Sequence, residues 1–236
     1  MSLHGSLVFK DNHLDIFDNF QTAAASISNI HSIGLETDQD ILQKILSRSV
    51  GANNADTIAD KLMMRFGDFG AILAASNEKL VSEGGISPEV ARDLKLIETA
   101  AGRLAQTQIT GREVISSWDA LIAYCRIKMA HREVEQFRVL FLDRKNHLII
   151  DELLQSGTVD HVPVYPREVA KRALEVNASA LILVHNHPSG DATPSQSDIE
   201  MTQRVAAALD MLDIQLHDHV IISREADYSF RSQGKL

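Results

Sequence analysis

Residues 180–198 read ALILVHNHPSGDATPSQSD. The apolar run at residues 180–184 predicts a short strand buried on both faces, and the Pro188-Ser189-Gly190 turn ends it. His185 and His187 lie at the end of that strand. Because residues two apart project to the same side of an extended chain, both imidazoles can converge on one point.

The second part of this stretch predicts the start of a helix. Ser195 stands three residues before Asp198, which is the Ser-x-x-acid pattern of a capping box. The helix carries one apolar side at the spacing of an amphipathic helix packed on a sheet, formed by Ile199, Thr202, Val205, Ala206 and Leu209. Ser195 and Asp198 therefore share the first turn.

Two strand-end histidines and a helix-start carboxylate form a three-ligand metal site with a fourth position left for water. Catalytic zinc keeps three protein ligands and an open position, whereas structural zinc is usually closed by four ligands rich in cysteine. Cys125 is the single cysteine in the sequence. A structural zinc of the cysteine-rich type is therefore not expected, and His185, His187 and Asp198 are candidate ligands of a catalytic zinc (Zn2+).

The composition limits the class of protein. The chain has 236 residues, enough for one large domain or two small ones. One cysteine excludes an intramolecular disulfide and suits a reducing compartment. The sequence has no long apolar run, and its N-terminus lacks a basic-then-apolar signal pattern. We expect a cytoplasmic protein without a membrane partner.

The charge distribution gives no basic region. The net charge is −9, with ten basic against fourteen acidic residues in 1–112 and thirteen against eighteen in 113–236. Strong, sequence-blind binding to nucleic acid usually leaves a basic footprint. The acidic balance of both halves therefore weakens a role that depends on DNA.

The first half predicts a tail and a helical domain. Residues 1–30 show no sustained period and are expected to be flexible. Residues 31–110 are helical in pattern, with short turns between apolar stripes. Within them, a helix, the Glu83-Gly84-Gly85 turn, and Ser87 with Pro88 at a second helix start resemble a helix-hairpin-helix module, whose turn amides contact a DNA phosphate. A plain helical packing domain explains the same pattern.

Residues 111–236 predict an α/β layer fold, because strands alternate with helices. A helix capped by Ser116 or Ser117 precedes a hairpin around residues 143–146. A helix from Pro166, the buried strand at residues 180–184 and a strand at residues 214–223 follow. The domain boundary is expected near Thr110-Gly111, where the helical period stops.

The motif carries a family resemblance. His-x-His, ten residues and Asp, with Ser three positions before the Asp, resembles the metal motif of JAMM (MPN-plus) metallopeptidases. The longer string, with Pro166-Arg167-Glu168-Val169 upstream and Asp218-His219 downstream, resembles the bacterial RadC family over roughly residues 34–236. The resemblance implies a JAMM-like mixed sheet flanked by helices and preceded by a small all-α domain.

The resemblance also implies roles for residues. His185, His187 and Asp198 would hold zinc, Ser195 would stabilise an oxyanion, and a glutamate on an earlier strand would act as general base. Glu135 is our choice for the base, because it shares strand parity with Phe137, and RadC-like chains place a Glu two residues before an aromatic. Glu133 is the second candidate. Ser195 is also explained as a helix N-cap alone.

The later histidines need separate treatment. On an unbroken strand, His217 and His219 share one face, while Asp218 falls on the face of Leu216 and Val220. A buried Asp is costly unless it is paired, so we expect Asp218 to be hydrogen-bonded or to lie at a bulge. His219 is expected to be a structural hydrogen-bonding residue rather than a metal ligand.

Three functions compete at this stage. The first is a zinc-dependent hydrolase of peptide or isopeptide bonds, with a peptide or protein substrate. The second is a DNA-associated repair or recombination protein, since the RadC family carries a DNA-repair name. The third is a scaffold in which the metal only stabilises the fold. Asn186 stands where peptidases of the wider family usually have Ser or Thr, which bears on the substrate class. The oligomeric state is not specified by the sequence.

Overall fold

The fold was analysed in a computed structural model, which describes residues 36–157 and 164–236. The predicted tail at residues 1–30 lies outside the described residues. The chain divides into two compact units, one ending at Asp60 and one from Lys61 to Leu236. The first contains α1 (Asp38–Val50), which begins with a capping box between Thr37 and Asp40.

Four more helices follow in the described residues 52–109, and three of them begin with a side-chain cap. The division between the units falls inside α2 (Ala52–Phe66). The second unit continues with α3 (Phe69–Ala74), α4 (Asn77–Ser82) and α5 (Pro88–Ile109), whose first turns are capped by the side chains of Asp68, Ser76 and Ser87. None of the described helices is both long enough and apolar enough to cross a membrane.

The helical period ends where the sequence predicts it, since α5 stops at Ile109 and Gly111 follows with a φ of 69°. Ile109 packs into the same apolar cluster as Leu121 and Tyr124 of α6 (Trp118–Met129). Ser117 stands at the N-cap position of α6 without a capping hydrogen bond, because a 3-10 turn at Ile115–Ser117 leads into the helix. The domain boundary near Thr110-Gly111 stays a prediction.

A five-stranded mixed sheet forms the centre of the second unit. Its strands are β1 (Gln136–Leu142), β2 (Leu148–Ser156), β3 (Ala180–Asn186), β4 (Gln215–Ile222) and β5 (Asp227–Ser229). They lie in the order β2-β1-β3-β4-β5, and only β3 and β4 pair in parallel. The α/β class and the helical part before the sheet are as predicted.

Helices cover both faces of the sheet. Ile182 and Val184 face α6, whereas Leu181 and Leu183 face α7 (Pro166–Glu175) and α8 (Gln196–Asp210). Every residue of β3 is buried. His185 has the parity of Leu183, so its side chain lies on the α7 and α8 face, at the carboxyl end of the central strand.

A bulge in β4 overturns one part of the parity prediction. The register with β3 shifts, so that Leu181 is opposite Leu216 but Ile182 is opposite Asp218. The extra residue places Leu216 on the α7 and α8 face and Val220 on the α6 face. The expectation that Leu216 and Val220 share a face is therefore wrong, because the strand is not unbroken.

The expectation for Asp218 is confirmed. It is 4% exposed and lies at this bulge. Its carboxylate accepts hydrogen bonds from the main-chain N–H of His219 at 2.7 Å, from that of Arg231 at 2.9 Å and from the Ser229 hydroxyl. These donors compensate for the burial of a charged group, and they fix the chain after β5 against β4.

We expect Asp218→Ala to lower the free energy of unfolding by about 1–3 kcal/mol, because it leaves buried donors without an acceptor. Equilibrium urea denaturation measures the loss. Asp210→Ala, at an exposed position of α8, is the matched control and should change stability by less than about 0.5 kcal/mol. Equal stability of the two variants would contradict the anchoring role of Asp218.

Candidate metal centre

His185, His187 and Asp198 come together at the carboxyl end of β3 and the start of α8. The Nε2 atoms of the two histidines are 3.0 Å apart. Asp198 oxygens lie 3.4 Å from His185 Nε2 and 3.7 Å from His187 Nε2. The three residues that the spacing selects therefore present their ligand atoms to one point.

This spacing fits a small metal ion. Ligand atoms of a tetrahedral zinc with bonds of about 2.0–2.1 Å lie about 3.3 Å from one another. The three separations at the cluster, 3.0, 3.4 and 3.7 Å, bracket that value. Two imidazole nitrogens and one carboxylate are also donors that zinc accepts. The residues present fit a metal, and the donor set leaves a coordination position open.

The second nitrogen of His187 fixes its tautomer. His187 Nδ1 lies 2.7 Å from the main-chain oxygen of Asp191. A carbonyl oxygen only accepts, so Nδ1 carries the hydrogen, and in the neutral ring Nε2 is left with a lone pair that faces the cluster. The turn after β3, which Gly190 allows with a φ of 92°, places that oxygen within hydrogen-bond distance of His187 Nδ1.

The three residues of the cluster shift one another's pKa values. Burial lowers the pKa of His185 to about 4, against a smaller opposing effect of Asp198. Burial also lowers the pKa of His187, but the Asp198 carboxylate and the Asp191 oxygen outweigh it, so that this pKa is raised. Burial of Asp198 opposes its charge, yet His187, His185 and Ser195 hold the pKa of its carboxyl well below the usual range. The result is a neutral His185 beside an ionised carboxylate.

The capping box orients Asp198, as the sequence predicts. Ser195 Oγ accepts from the Asp198 N–H at 3.2 Å, and one Asp198 oxygen accepts from the Ser195 N–H at 2.7 Å and from its hydroxyl at 2.5 Å. The other oxygen is the one nearest His185. The start of α8 therefore positions the carboxylate through main-chain groups.

A cavity of about 260 Å³ adjoins the cluster. Its lining includes Glu135, Phe137, Tyr165, Asp198, Met201 and Arg204. The charge on Glu135 contributes to the raised pKa of His187, which places its carboxylate within electrostatic reach of the cluster. The structure therefore brings the first choice for the base to the same cavity as a candidate ligand.

Comparisons with known proteins show the family of the chain. A family model described as a RadC-like JAB domain matches residues 115–235, just over half of the chain. The chain belongs to the RadC family. A UPF0758 protein of Ruegeria pomeroyi is 56% identical over 199 residues, 84% of this chain and 89% of that protein. A UPF0758 protein of Rhodobacter capsulatus is 53% identical over 199 residues, 84% of this chain and 93% of that protein.

The RadC-family match confirms the resemblance drawn from the motif, and it covers both candidate glutamates. Glu133 pairs with Lys79 and has a half-exposed side chain. It is not among the residues that line the cavity, whereas Glu135 is. Sequence reasoning missed Tyr165, Met201 and Arg204 as cavity residues, because Tyr165 directly precedes α7 whereas the other two lie on α8, and the approach of these helices is a property of the fold.

Asn186, between the two histidines, faces away from the cluster. Its side-chain oxygen accepts from the Gln136 N–H at 2.8 Å, and its amide nitrogen lies 3.2 Å from the oxygen of Val134 and 3.4 Å from that of Arg132. The side chain is fully buried. In this RadC-family chain, Asn186 therefore ties the end of β3 to the segment that carries Glu135.

The hairpin that resembles a DNA-contacting module uses its amides internally. The Gly84 N–H donates to the Lys79 oxygen and the Gly85 N–H to the Val81 oxygen, both at 3.2 Å. These bonds are those of a glycine-containing helix C-terminus. The amides that would contact a phosphate are thus engaged within the turn.

We expect Asn186→Ala to lower the free energy of unfolding by about 1–3 kcal/mol, because it removes a fully buried side chain that accepts from the partly buried Gln136 N–H. Hydrogen exchange should show loss of protection at Gln136. Gln203→Ala, which removes an exposed amide from α8, should change neither. Unchanged exchange at Gln136 in Asn186→Ala would contradict the tethering role.

Proposed function

We propose that this protein is a zinc-dependent hydrolase of peptide or isopeptide bonds. In this proposal His185, His187 and Asp198 bind zinc, Glu135 is the general base, and Ser195 contacts the substrate's carbonyl oxygen. The observation that carries it is the convergence of three ligand atoms, 3.0–3.7 Å apart, beside a cavity that Glu135 also lines. Family membership supports the same class in general terms, a metal-dependent hydrolase or a repair protein.

The residues divide the chemistry between them. When bound, zinc supplies a Lewis acid that polarises a carbonyl group and acidifies water. The Glu135 carboxylate would take a proton from the attacking water and return it to the leaving nitrogen. Phe137 and Met201 line the same cavity, and their apolar side chains would exclude bulk water there.

Ser195 would have two roles. In the structure its hydroxyl donates to Asp198 and accepts from the first turn of α8. A hydroxyl beside the start of a helix can instead donate to an oxygen on which negative charge develops. The role in hydrolysis therefore requires the hydroxyl to turn from the carboxylate to the substrate.

A DNA-directed function receives less support. The net charge is −9, the turn amides of the hairpin are engaged, and phosphate contacts normally need basic side chains. A repair role would then depend on the metal-binding domain acting on a substrate associated with DNA. DNA therefore belongs in the assay as one of the candidate substrates.

We expect the purified protein to bind one equivalent of zinc and to cleave peptide or isopeptide substrates. Glu135→Gln should keep the metal and lose activity by about 10²- to 10⁴-fold, because only proton transfer is removed. Glu133→Gln, two residues away, should retain both. Metal analysis measures the bound zinc, and a hydrolysis screen on peptide, isopeptide and DNA substrates measures the activity.

Several outcomes would overturn this assignment. Full activity in Glu135→Gln would remove its role as base. Cleavage of DNA alone would overturn the substrate class. Two imidazoles and a carboxylate also suit Fe(II), so a protein active with iron but not with zinc would overturn the choice of metal. No bound metal in any preparation would remove the hydrolase proposal.

Ser195→Ala separates capping from catalysis. Loss of the N-cap should cost about 1 kcal/mol of stability, and loss of the donor should lower the rate by roughly 10²-fold. Ser87→Ala removes the equivalent cap of α5 and should cost similar stability without slowing hydrolysis. If Ser195→Ala slowed hydrolysis no more than Ser87→Ala, Ser195 would be a cap alone.

A further inference from the structure

We propose that His219 and Thr202 are positioning residues, which hold His185 in the one tautomer that can bind the metal. The inference rests on the proposed function, in which His185 is a ligand. Neither residue offers an atom to the point on which the ligand atoms of His185, His187 and Asp198 converge. His219 Nε2 lies 2.7 Å from His185 Nδ1, and His219 Nδ1 lies 2.6 Å from Thr202 Oγ1.

The direction of the hydrogen bonds follows from the far end of this chain of contacts. Thr202 Oγ1 lies 2.5 Å from the main-chain oxygen of Asp198, four residues earlier in α8. A carbonyl oxygen only accepts, so the single hydroxyl hydrogen of Thr202 is donated there. Thr202 Oγ1 must then accept the hydrogen carried by His219 Nδ1.

The same logic continues to the ligand. A neutral His219 with its hydrogen on Nδ1 has a lone pair on Nε2, so His185 Nδ1 must donate to it. The neutral His185 ring then has no hydrogen on Nε2, the atom that faces His187 and Asp198. The chain of contacts therefore presents a lone pair of His185 to the metal position.

The opposite tautomer of His219 would prevent binding. With its hydrogen on Nε2, His219 would donate to His185 Nδ1 and leave the hydrogen of His185 on Nε2. That hydrogen would occupy the metal position, between His185 Nε2 and His187 Nε2, which lie 3.0 Å apart. Thr202 selects against this state, because its own hydrogen is already committed to the carbonyl of Asp198.

Packing keeps the His219 ring in place. The side chain is fully buried. The Phe230 ring stacks on it with centroids 4.6 Å apart, and the Phe137 ring meets it edge-on at 5.9 Å. Burial in an apolar surrounding also favours the neutral ring that this hydrogen-bond relay from His185 through His219 to Thr202 requires. Partners behind a metal-binding histidine usually affect metal affinity by about 10- to 100-fold when removed.

The relay closes a loop between two candidate ligands. It starts at His185 on β3, passes through His219 on β4 and Thr202 on α8, and ends on the main chain of Asp198. Its end groups therefore belong to the residues that would bind one ion. A substitution of Thr202 should consequently change the metal affinity. It would do so although the Thr202 hydroxyl is hydrogen-bonded to the side chain of His219 and not to that of a candidate metal ligand.

The test is the pair Thr202→Val and Thr202→Ser in the full-length protein. Valine keeps the shape of threonine and removes the hydroxyl, whereas serine keeps the hydroxyl. We expect Thr202→Val to lower zinc affinity by about 10-fold or more in a chelator competition, and Thr202→Ser to stay within about 3-fold of the wild type. The visible spectrum of the Co2+-substituted protein should change in Thr202→Val alone.

Histidine NMR gives a readout independent of metal. In the metal-free protein, long-range ¹H–¹⁵N spectra should show His185 and His219 both with the hydrogen on Nδ1. Thr202→Val should lose that uniform state, and Thr202→Ser should restore it. A purely structural role would lower thermal stability without altering the tautomer.

Thr99→Val is the matched control, since Thr99 makes the same hydroxyl contact four residues back, with the Lys95 oxygen, on α5. It should change neither the affinity nor the tautomers. The inference is overturned if Thr202→Val binds zinc as tightly as Thr202→Ser, or if wild-type His185 carries its hydrogen on Nε2. If the wild type binds no metal, the proposed function fails, while the NMR result still decides the relay.

Discussion

The site depends on two imidazole nitrogens that lie 3.0 Å apart at the end of β3, beside a carboxylate, and that point their lone pairs at one another when both rings are neutral with the hydrogen on Nδ1. In a partly buried place such a concentration of electron pairs is unfavourable, because little water is present to screen it. A cation between His185, His187 and Asp198 would replace the repulsion by three bonds. Such a position favours a positive charge, and under the proposed function metal binding would add to the stability of the second unit.

The neighbouring elements hold this arrangement in place. Strand β3 is buried along its whole length and has a strand on each side, so the direction of His185 is fixed by the sheet. The capping box of α8 fixes Asp198 through main-chain N–H groups of Ser195 and of Asp198 itself. Both devices use ordinary secondary structure, and each places a candidate ligand group without a flexible linker. Sites held by such rigid elements need little reorganisation when they bind.

How much of this could be predicted depends on the distance in sequence between the interacting groups. His185 with His187, and Ser195 with Asp198, are two and three residues apart, so the period of a strand and the first turn of a helix are sufficient to place them. The relation of His185 to His219 spans 34 residues and joins two different strands, so no local period of the sequence places these two rings together. Thr202 was predicted only as a member of an apolar helix side, since its partner lies on another element.

The glycine turn after α4 shows why a sequence pattern alone does not decide between DNA binding and packing. The glycines that make it resemble a phosphate-contacting hairpin are also those that a helix C-terminus needs, and Gly85 has the positive φ of 68° typical of that use. A Cβ atom at Gly84 would lie 2.5 Å from the main-chain oxygen of Leu80, so packing within the turn requires a residue without a side chain. Glu83, beside the turn, forms an ion pair with Arg65 of α2. Packing thus accounts for the whole turn, and the chemistry that remains to be explained lies at the end of β3.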